Sequence, residues 1–363
     1  MICTAPIQAS RGPIAPLLAI AVLATSLTIS SPARADDNDP SDELISVEAP
    51  VFVDPLLSPW RPALTPGEID ELGGHPAVIE YWTDERLDSA IPRDLHAPQA
   101  PGTSPELVPT PSTLAPEVIT GSAEPLGALE HPEERAVTNW SRTNGKVFFR
   151  DPADGKNYMC SGSAVNSTSK RLVSTAGHCV YGSRGWFQNW IFVPNYQRGA
   201  RPHGTFQASS LTTFTEYTTN LAPSWKGFNS DVAFATTRHN ANGQRVVNAV
   251  GGHGLITGGA DYTFGANIFG YPGNLQSGET MYVCSRDRSE KYAAGGFTFS
   301  RVSGCGMGGG ASGGPWLRNY SNATGLGNIK SITSFTQDGT RHLGAPFFRQ
   351  GVRTLYAHAD SLG

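Results

Sequence analysis

Short apolar or alternating runs fill the chain from Lys146 onward, among them KVFF, YMCSGSAV, RLVSTAG, WIFVP, DVAFAT, ANIFGYP, MYVCS, FTFSRV and IKSITSF. Gly, Pro, Asn and Asp separate them. Runs of this length with turn formers between them specify strands, and many strands in series specify a sandwich or a barrel. The glycines agree: 34 of 41 fall within residues 136–363, where tight turns between strands need backbone freedom. Only the last stretch, PFFRQGVRTLYAHAD, has helical spacing, which places Val352, Leu355, Tyr356 and Ala359 on one face. The expected class is all-β with a C-terminal helix. At 228 residues this part is large enough for one or two cores, and it contains no internal repeat.

Residues 36–135 have a different composition. They hold 16 of the 27 prolines, no cysteine, and 21 acidic against 4 basic residues, whereas residues 136–363 carry 21 basic against 10 acidic. A stretch such as HAPQAPGTSPELVPTPSTLAPEV cannot bury enough apolar surface to order itself alone, and an extended, mostly polyproline course is expected. A short helix is expected at TPGEIDELG. The segment is either a solvated linker or a pro-segment drawn to the basic domain behind it. Opposite net charges on tethered partners raise their association and favour the pro-segment.

Upstream lie Arg11, an apolar run over 15–29, and SPARA, in which Ala33 and Ala35 flank Arg34. This is the pattern of a secretory signal peptide cut after Ala35. The expected organisation is signal peptide 1–35, acidic pro-segment 36–135 and a domain over 136–363. The apolar run has 15 residues, short of the roughly 18 that span a bilayer, so a secreted product with no membrane partner is expected. Cys3 lies in the signal, which leaves Cys160, Cys179, Cys284 and Cys305. An even number in an oxidising compartment favours disulfides, with three pairings possible. Pairing neighbours closes loops of about 20 residues, each stabilising the fold by about 3 kcal/mol in the chain-entropy model.

The stretch LVSTAGHCVYG sets His178 beside Cys179 at the end of a strand-like run. Zinc would need Cys or His ligands at short spacing, and adjacent residues of a strand point to opposite faces, so no metal is expected. A general base is the other reading. Acyl transfer by serine needs a neutral imidazole to take the hydroxyl proton, a carboxylate to fix the tautomer, and N–H donors for the oxyanion. Ser312 in GCGMGGGASGGPW has glycines on both sides that let the backbone bend and expose its Oγ, leaving the N–H groups of Gly310 and Ser312 for an oxyanion hole. Asp231 in GFNSDVAFAT precedes an apolar run, where a carboxylate can be buried if it is paired. Asp261, Asp287 and Glu216 are poorer candidates. His203, His239, His253, His342 and His358 are expected at the surface.

The blocks CSGSAVNSTSKRLVSTAGHCVYG, SDVAFA and GASGGPW resemble the His, Asp and Ser blocks of the chymotrypsin-like serine peptidases. VTNWSRTNGKVFF and VPNYQRGARPHGTF are similar to the bacterial and fungal branch that includes the glutamyl endopeptidases. The resemblance covers about residues 137–360. It implies two antiparallel β-barrels with the site in the crevice between them, His178 and Asp231 on the first barrel, Ser312 on the second, and a disulfide between Cys160 and Cys179. Protein or peptide substrates follow, with the chain's own pro-segment as a further partner and a monomeric state. Ala311 stands where the trypsin-type branch has the Asp that pairs with a new N-terminus, so that activation switch is absent. Gly306 stands where trypsin-like enzymes hold the Asp that binds Lys or Arg, which argues against a basic preference. Thr333 occupies the pocket position that is usually His in glutamyl endopeptidases, and Met307 is expected to line the pocket and favour a small or medium apolar side chain. No cofactor is expected, because GGGASGGP lacks the Lys of a phosphate loop. Nucleic acid is not expected either, because the basic residues are dispersed singly. A catalytically inactive, protease-like binding protein is the alternative function.

Overall fold

The computed structural model describes residues 42–54, 64–98, 115–126, 141–259 and 261–363. The signal peptide and the junction between the acidic and basic segments lie outside these residues. The acidic segment contributes β1 (Leu44–Glu48), α1 (Pro66–Glu71), α2 (Pro76–Tyr81), α3 (Asp84–Asp88), β2 (Ile91–Pro92) and β3 (Glu117–Thr120). Next come β4 (Asn144–Arg150), β5 (Asn157–Val165), β6 (Leu172–Thr175), β7 (Tyr181–Gly182), β8 (Gly185–Trp186), β9 (Gln188–Pro194) and β10 (Phe206–Phe214). Helices α4 (Thr215–Thr219) and α5 (Trp225–Asn229), strand β11 (Ala233–Thr237) and α6 (Val246–Val250) complete the first half. The second half comprises β12 (Gly254–Thr257), β13 (Ala266–Gly270), β14 (Tyr282–Arg286), β15 (Glu290–Ala294), β16 (Phe297–Ser303), β17 (Pro315–Ser321), β18 (Leu326–Ile332), β19 (Phe335–Gln337), β20 (His342–Pro346) and α7 (Gly351–Ser361).

The first barrel is a closed ring: β9, β4, β5, β6, β11 and β10 pair in that order, and β10 returns to β9 through Phe206–Phe192. Side chains alternate across each strand. Val147 and Phe149 of β4 point into a core with Val173, Phe192 and Leu211. Phe148, between them, faces the other way, as do Ile191 and Val193 of β9. The second barrel joins a sheet ordered β14-β13-β17-β18-β12-β3 to a sheet ordered β15-β16-β20-β19, and Ile268, Val302, Trp316 and Leu343 share the core between them. Helix α7 lies where its spacing predicts. Val352, Leu355 and Ala359 are fully buried, and Thr236 Oγ1 donates to Ala359 O at 2.8 Å, tying the helix to β11.

The stretch expected to run as polyproline, HAPQAPGTSPELVPTPSTLAPEV, lies mostly outside the described residues; the described parts of the acidic segment form strands and short helices. Alone it lacks a core, but it borrows edges: β1 pairs antiparallel with β10, β3 with β12, and β2 parallel with β5. Its helices cover the outer face of the first barrel. Val78, Tyr81, Trp82 and Leu87 pack on Phe148, Met159, Ile191 and Val193 in one buried cluster. Strands buried on both faces read as continuous apolar runs, which is why KVFF and WIFVP do not alternate. The expected helix at TPGEIDELG is α1. Opposite charges meet as the composition predicts, in Asp42–Arg349 at 2.6 Å, Asp84–Arg201 at 2.6 Å and Glu117–Arg353 at 2.8 Å. The two solvent-exposed pairs, at Asp84 and Glu117, contribute at most about 1 kcal/mol each, so the apolar cluster carries most of the attachment.

Candidate active site

Strand β6 stops at Thr175, and the chain tightens into a single 3₁₀ turn at Gly177–Cys179. His178 and Cys179 therefore do not point to opposite faces of a strand, as expected from sequence. They sit in a turn, with both side chains buried. Gly177 has no room for a side chain, because a Cβ there would meet the Tyr217 ring at 2.9 Å and Asp231 Oδ1 at 3.1 Å. Cys179 is bridged to Cys160 of β5, and its carbonyl accepts from Trp190 Nε1 at 3.0 Å, so the turn is held from two sides.

Asp231 follows α5 and is completely buried. Its carboxylate takes three donors: His178 N–H on Oδ1 at 2.8 Å, and His178 Nδ1 at 2.7 Å with Ser334 Oγ at 2.5 Å on Oδ2. A buried carboxylate is tolerable only when it is satisfied in this way. Because Nδ1 donates to the carboxylate, the lone pair of Nε2 is left to accept a proton. Nε2 is buried and has no hydrogen-bond partner among the described residues. Ser334 was not singled out for this role in the sequence. Its only signal is a hydroxyl directly after Thr333, at the end of an apolar strand.

Ser312 lies in a turn framed by Gly310 (φ +92°) and Gly313 (φ +78°). A Cβ on Gly310 would meet Tyr271 O at 2.5 Å, and one on Gly313 would meet Thr175 Oγ1 and the Ser161 carbonyl. Only glycine fits either place. The turn is fastened to β5: Ser161 N–H donates to Ser312 O at 2.7 Å and Ser161 Oγ to Gly310 O at 2.8 Å. Ser161 adjoins Cys160, whose disulfide reaches the residue after His178, so serine turn, histidine turn and aspartate converge on one seam between the barrels. Gly310 N–H donates to Arg93 O at 2.8 Å, and Ser312 Oγ donates to the same oxygen at 3.4 Å.

The remaining expected site residues are less alike. Gly306 (φ +67°) faces open space, and its loop is clamped by Asn274, which donates to Gly306 O at 2.8 Å and accepts from Gly308 N–H at 2.7 Å. Thr333 Oγ1 accepts from Trp316 Nε1 at 3.0 Å. Met307 packs in the second-barrel core with Trp316 and Leu343. Ala311 is buried in that same apolar core, which absorbs the missing Asp without leaving an unpaired charge. The second disulfide joins Cys284 and Cys305. Cys160, His178 and Cys179 bring three potential metal-binding atoms within 4.8 Å, but both sulfurs are committed to the disulfide.

Two barrels with a histidine–carboxylate pair and a glycine-framed serine at their seam define a serine hydrolase class. Among solved structures, the chain is similar to the protease Anisep from Arthrobacter nicotinovorans at 31% identity and a TM-score of 0.54, over 61% of this chain and 96% of that one. It is also similar to AL20, a thermostable serine protease from an extremophilic microorganism, at 24% identity and a TM-score of 0.50, over 61% and 99% of the two chains. A Glu endopeptidase structure aligns at 18% identity and a TM-score of 0.49, over 62% and 94%. No family model and no curated protein matches. The chain belongs to the chymotrypsin-like serine peptidases, and its activity is that of a serine endopeptidase.

Proposed function

We propose that the protein is a secreted serine endopeptidase made as a zymogen, with His178 as general base and then acid, Asp231 as its orienting carboxylate and Ser312 as nucleophile. The observation that carries this reading is the buried His178–Asp231 pair, whose Nε2 has no hydrogen-bond partner among the described residues. Ser312 Oγ loses its proton to Nε2 as it attacks the scissile carbonyl. The N–H groups of Gly310 and Ser312 take up the oxyanion charge, and the imidazolium then protonates the leaving amine. Water hydrolyses the acyl-enzyme by the same steps in reverse order of partners. No cofactor enters this scheme. Maturation removes the signal over 1–35 and cuts near EHPEERAVTN, after Glu134 or Arg135, breaking the covalent link between the acidic pro-segment and residues 136–363. The mature form acts as a monomer on protein or peptide substrates.

Gly306 supplies no charge for Lys or Arg, and Thr333 supplies only a hydroxyl, so a small or medium apolar side chain fits the primary pocket best. Mass-spectrometric profiling of cleavage in a denatured protein checks this, and a dominant Lys or Arg preference would refute it. The triad is checked with a fluorophosphonate probe. Ser312 alone is labelled, Ser312→Ala abolishes labelling, and His178→Ala slows it by about 10⁴-fold or more. Full-rate labelling of His178→Ala would remove the assigned base.

A further inference from the structure

Residues 91–97 of the acidic segment run across the seam, and their contacts differ from those of a peptide about to be cut. Arg93 N–H donates to Met159 O at 2.9 Å on the first barrel. On the second, Thr336 N–H donates to Leu95 O at 3.0 Å and Ala97 N–H to Thr336 O at 2.9 Å. Between these anchors the Arg93 carbonyl accepts from Gly310 N–H, the donor expected to bind an oxyanion.

Two features make this occupancy unproductive. The Ser312 hydroxyl donates to Arg93 O while His178 Nε2 stays unpartnered, so the nucleophile's proton is on the wrong acceptor. The residue whose carbonyl is held by the oxyanion donors should also fill the primary pocket. Instead, the Arg93 guanidinium pairs with Asp151 at 3.2 Å and lies over the rings of Tyr158 and Phe187 at 4.9 and 5.3 Å, all on the first barrel. Polarity accounts for both. The segment is parallel to both walls, through Ile91–Tyr158 and Pro92–Met159 on β5 and through His96–Thr336 on β19. A peptide threaded the other way lays antiparallel ladders on the same two edges, the slightly stronger arrangement per residue. The walls are also shaped for the resident segment: a Cβ on Gly273 would stand 2.2 Å from Pro92 Cγ, and one on Gly309 would stand 2.5 Å from Asp94 Cβ.

We propose that residues 91–97 are a reverse-threaded inhibitor of this site. Residues 42–126 then remain bound as a non-covalent subunit after the chain is cut within 127–140, and their later removal opens the site. The inference rests on the reading of Ser312 and His178 as nucleophile and base. Retention follows from the β1–β10 and β3–β12 ladders and the Trp82 cluster, none of which involves the junction.

The test uses the full chain with a recognition site for an unrelated protease placed in 127–140, alone and with Arg93→Glu, which reverses the charge facing Asp151. Leu95→Asp, which puts a charge against the Phe228, Phe299 and Phe335 cluster, is the second loosening variant should the first fail to fold. After cutting, the two pieces co-elute on gel filtration, and fluorophosphonate labelling of Ser312 is at least about tenfold faster in the variant than in the parent. Mass spectrometry finds the Arg93–Asp94 bond intact in both. Equal, fast labelling of cut parent and variant overturns the inhibitory role. Loss of the segment on cutting overturns its retention, and fragments ending at Arg93 overturn the reversed threading. Absence of labelling in every form overturns the nucleophile assignment, and the inference with it.

Discussion

Asp231 has no exposed surface, and all three of its donors come from His178 and Ser334. Ser334→Ala leaves that carboxylate one donor short. It is expected to cost about 1–3 kcal/mol of stability and to slow Ser312 labelling about tenfold, while Ser334→Thr, which keeps the hydroxyl, restores the rate. Urea denaturation and labelling kinetics measure the two effects separately. His253 is a second buried polar residue, and here the expectation of a surface histidine is corrected. It is fully buried, its Nδ1 accepts from Gly327 N–H at 3.2 Å and its Nε2 donates to Asn144 Oδ1 at 2.9 Å. Burial lowers its pKa to about 3. The unfolded chain protonates near the ordinary value of about 6.5 and the folded one does not. His253 therefore leaves stability untouched above about pH 6.5, and stability is lost as the pH falls toward 3, by up to about 1.4 kcal/mol per unit. In urea melts between pH 7 and 4, His253→Gln is expected to lose less stability than the parent. Ser312, His178 and Asp231 could be found in the sequence because each sits in a short motif with a chemical reason behind it. Ser334 and His253 could not, since their roles are set by partners 103 and 109 residues away.

Strands with strong alternation or a continuous apolar run were readable as strands: β4, β5, β6, β9, β11, β13, β14, β16 and β18 all fall on runs picked out from sequence. Those that were not, β10 (FQASSLTTF) and β15 (EKYAA) among them, are rich in hydroxyl, charged or small residues and owe their state to neighbours. Strand β10 is enclosed by β1, β11 and β9, and two of its hydroxyls bond to neighbouring backbone, Ser209 Oγ to Thr236 O at 3.0 Å and Thr213 Oγ1 to Val232 O at 2.8 Å. This is tertiary context overriding weak local preference. The histidine turn depends on its disulfide more than on its own sequence. The Cys160–Cys179 bridge spans a sequence separation of 19, and replacing both cysteines by Ala is expected to cost about 3 kcal/mol on loop entropy. Thermal unfolding followed by circular dichroism measures that loss. The same variant should label more slowly at temperatures where it is still folded, because the serine and histidine turns are joined through this bridge.

At the scale of the molecule, the acidic segment was legible as something unlike the domain behind it and complementary to it in charge. Its ordering was not legible, because a chain with so many prolines forms strands here only on edges, and helices only on an apolar face, that another segment supplies. Trp82 is its main anchor: Nε1 donates to Asn189 O at 2.6 Å, and the ring lies 5.7 Å from Phe148. Trp82→Ala is expected to cost about 3–5 kcal/mol in the full chain, measured by guanidinium denaturation. A larger effect on a chain cut at the junction would show that the tether compensates for lost contacts. The face beneath Trp82 has a practical implication of its own. Once stripped of its cover, the first barrel would present Phe148, Met159, Ile191 and Val193 to water as a contiguous greasy saddle. A fully processed enzyme would then self-associate at high concentration and benefit from mild detergent, so its shelf life in solution would be governed by the loss of a covering that takes no part in peptide hydrolysis.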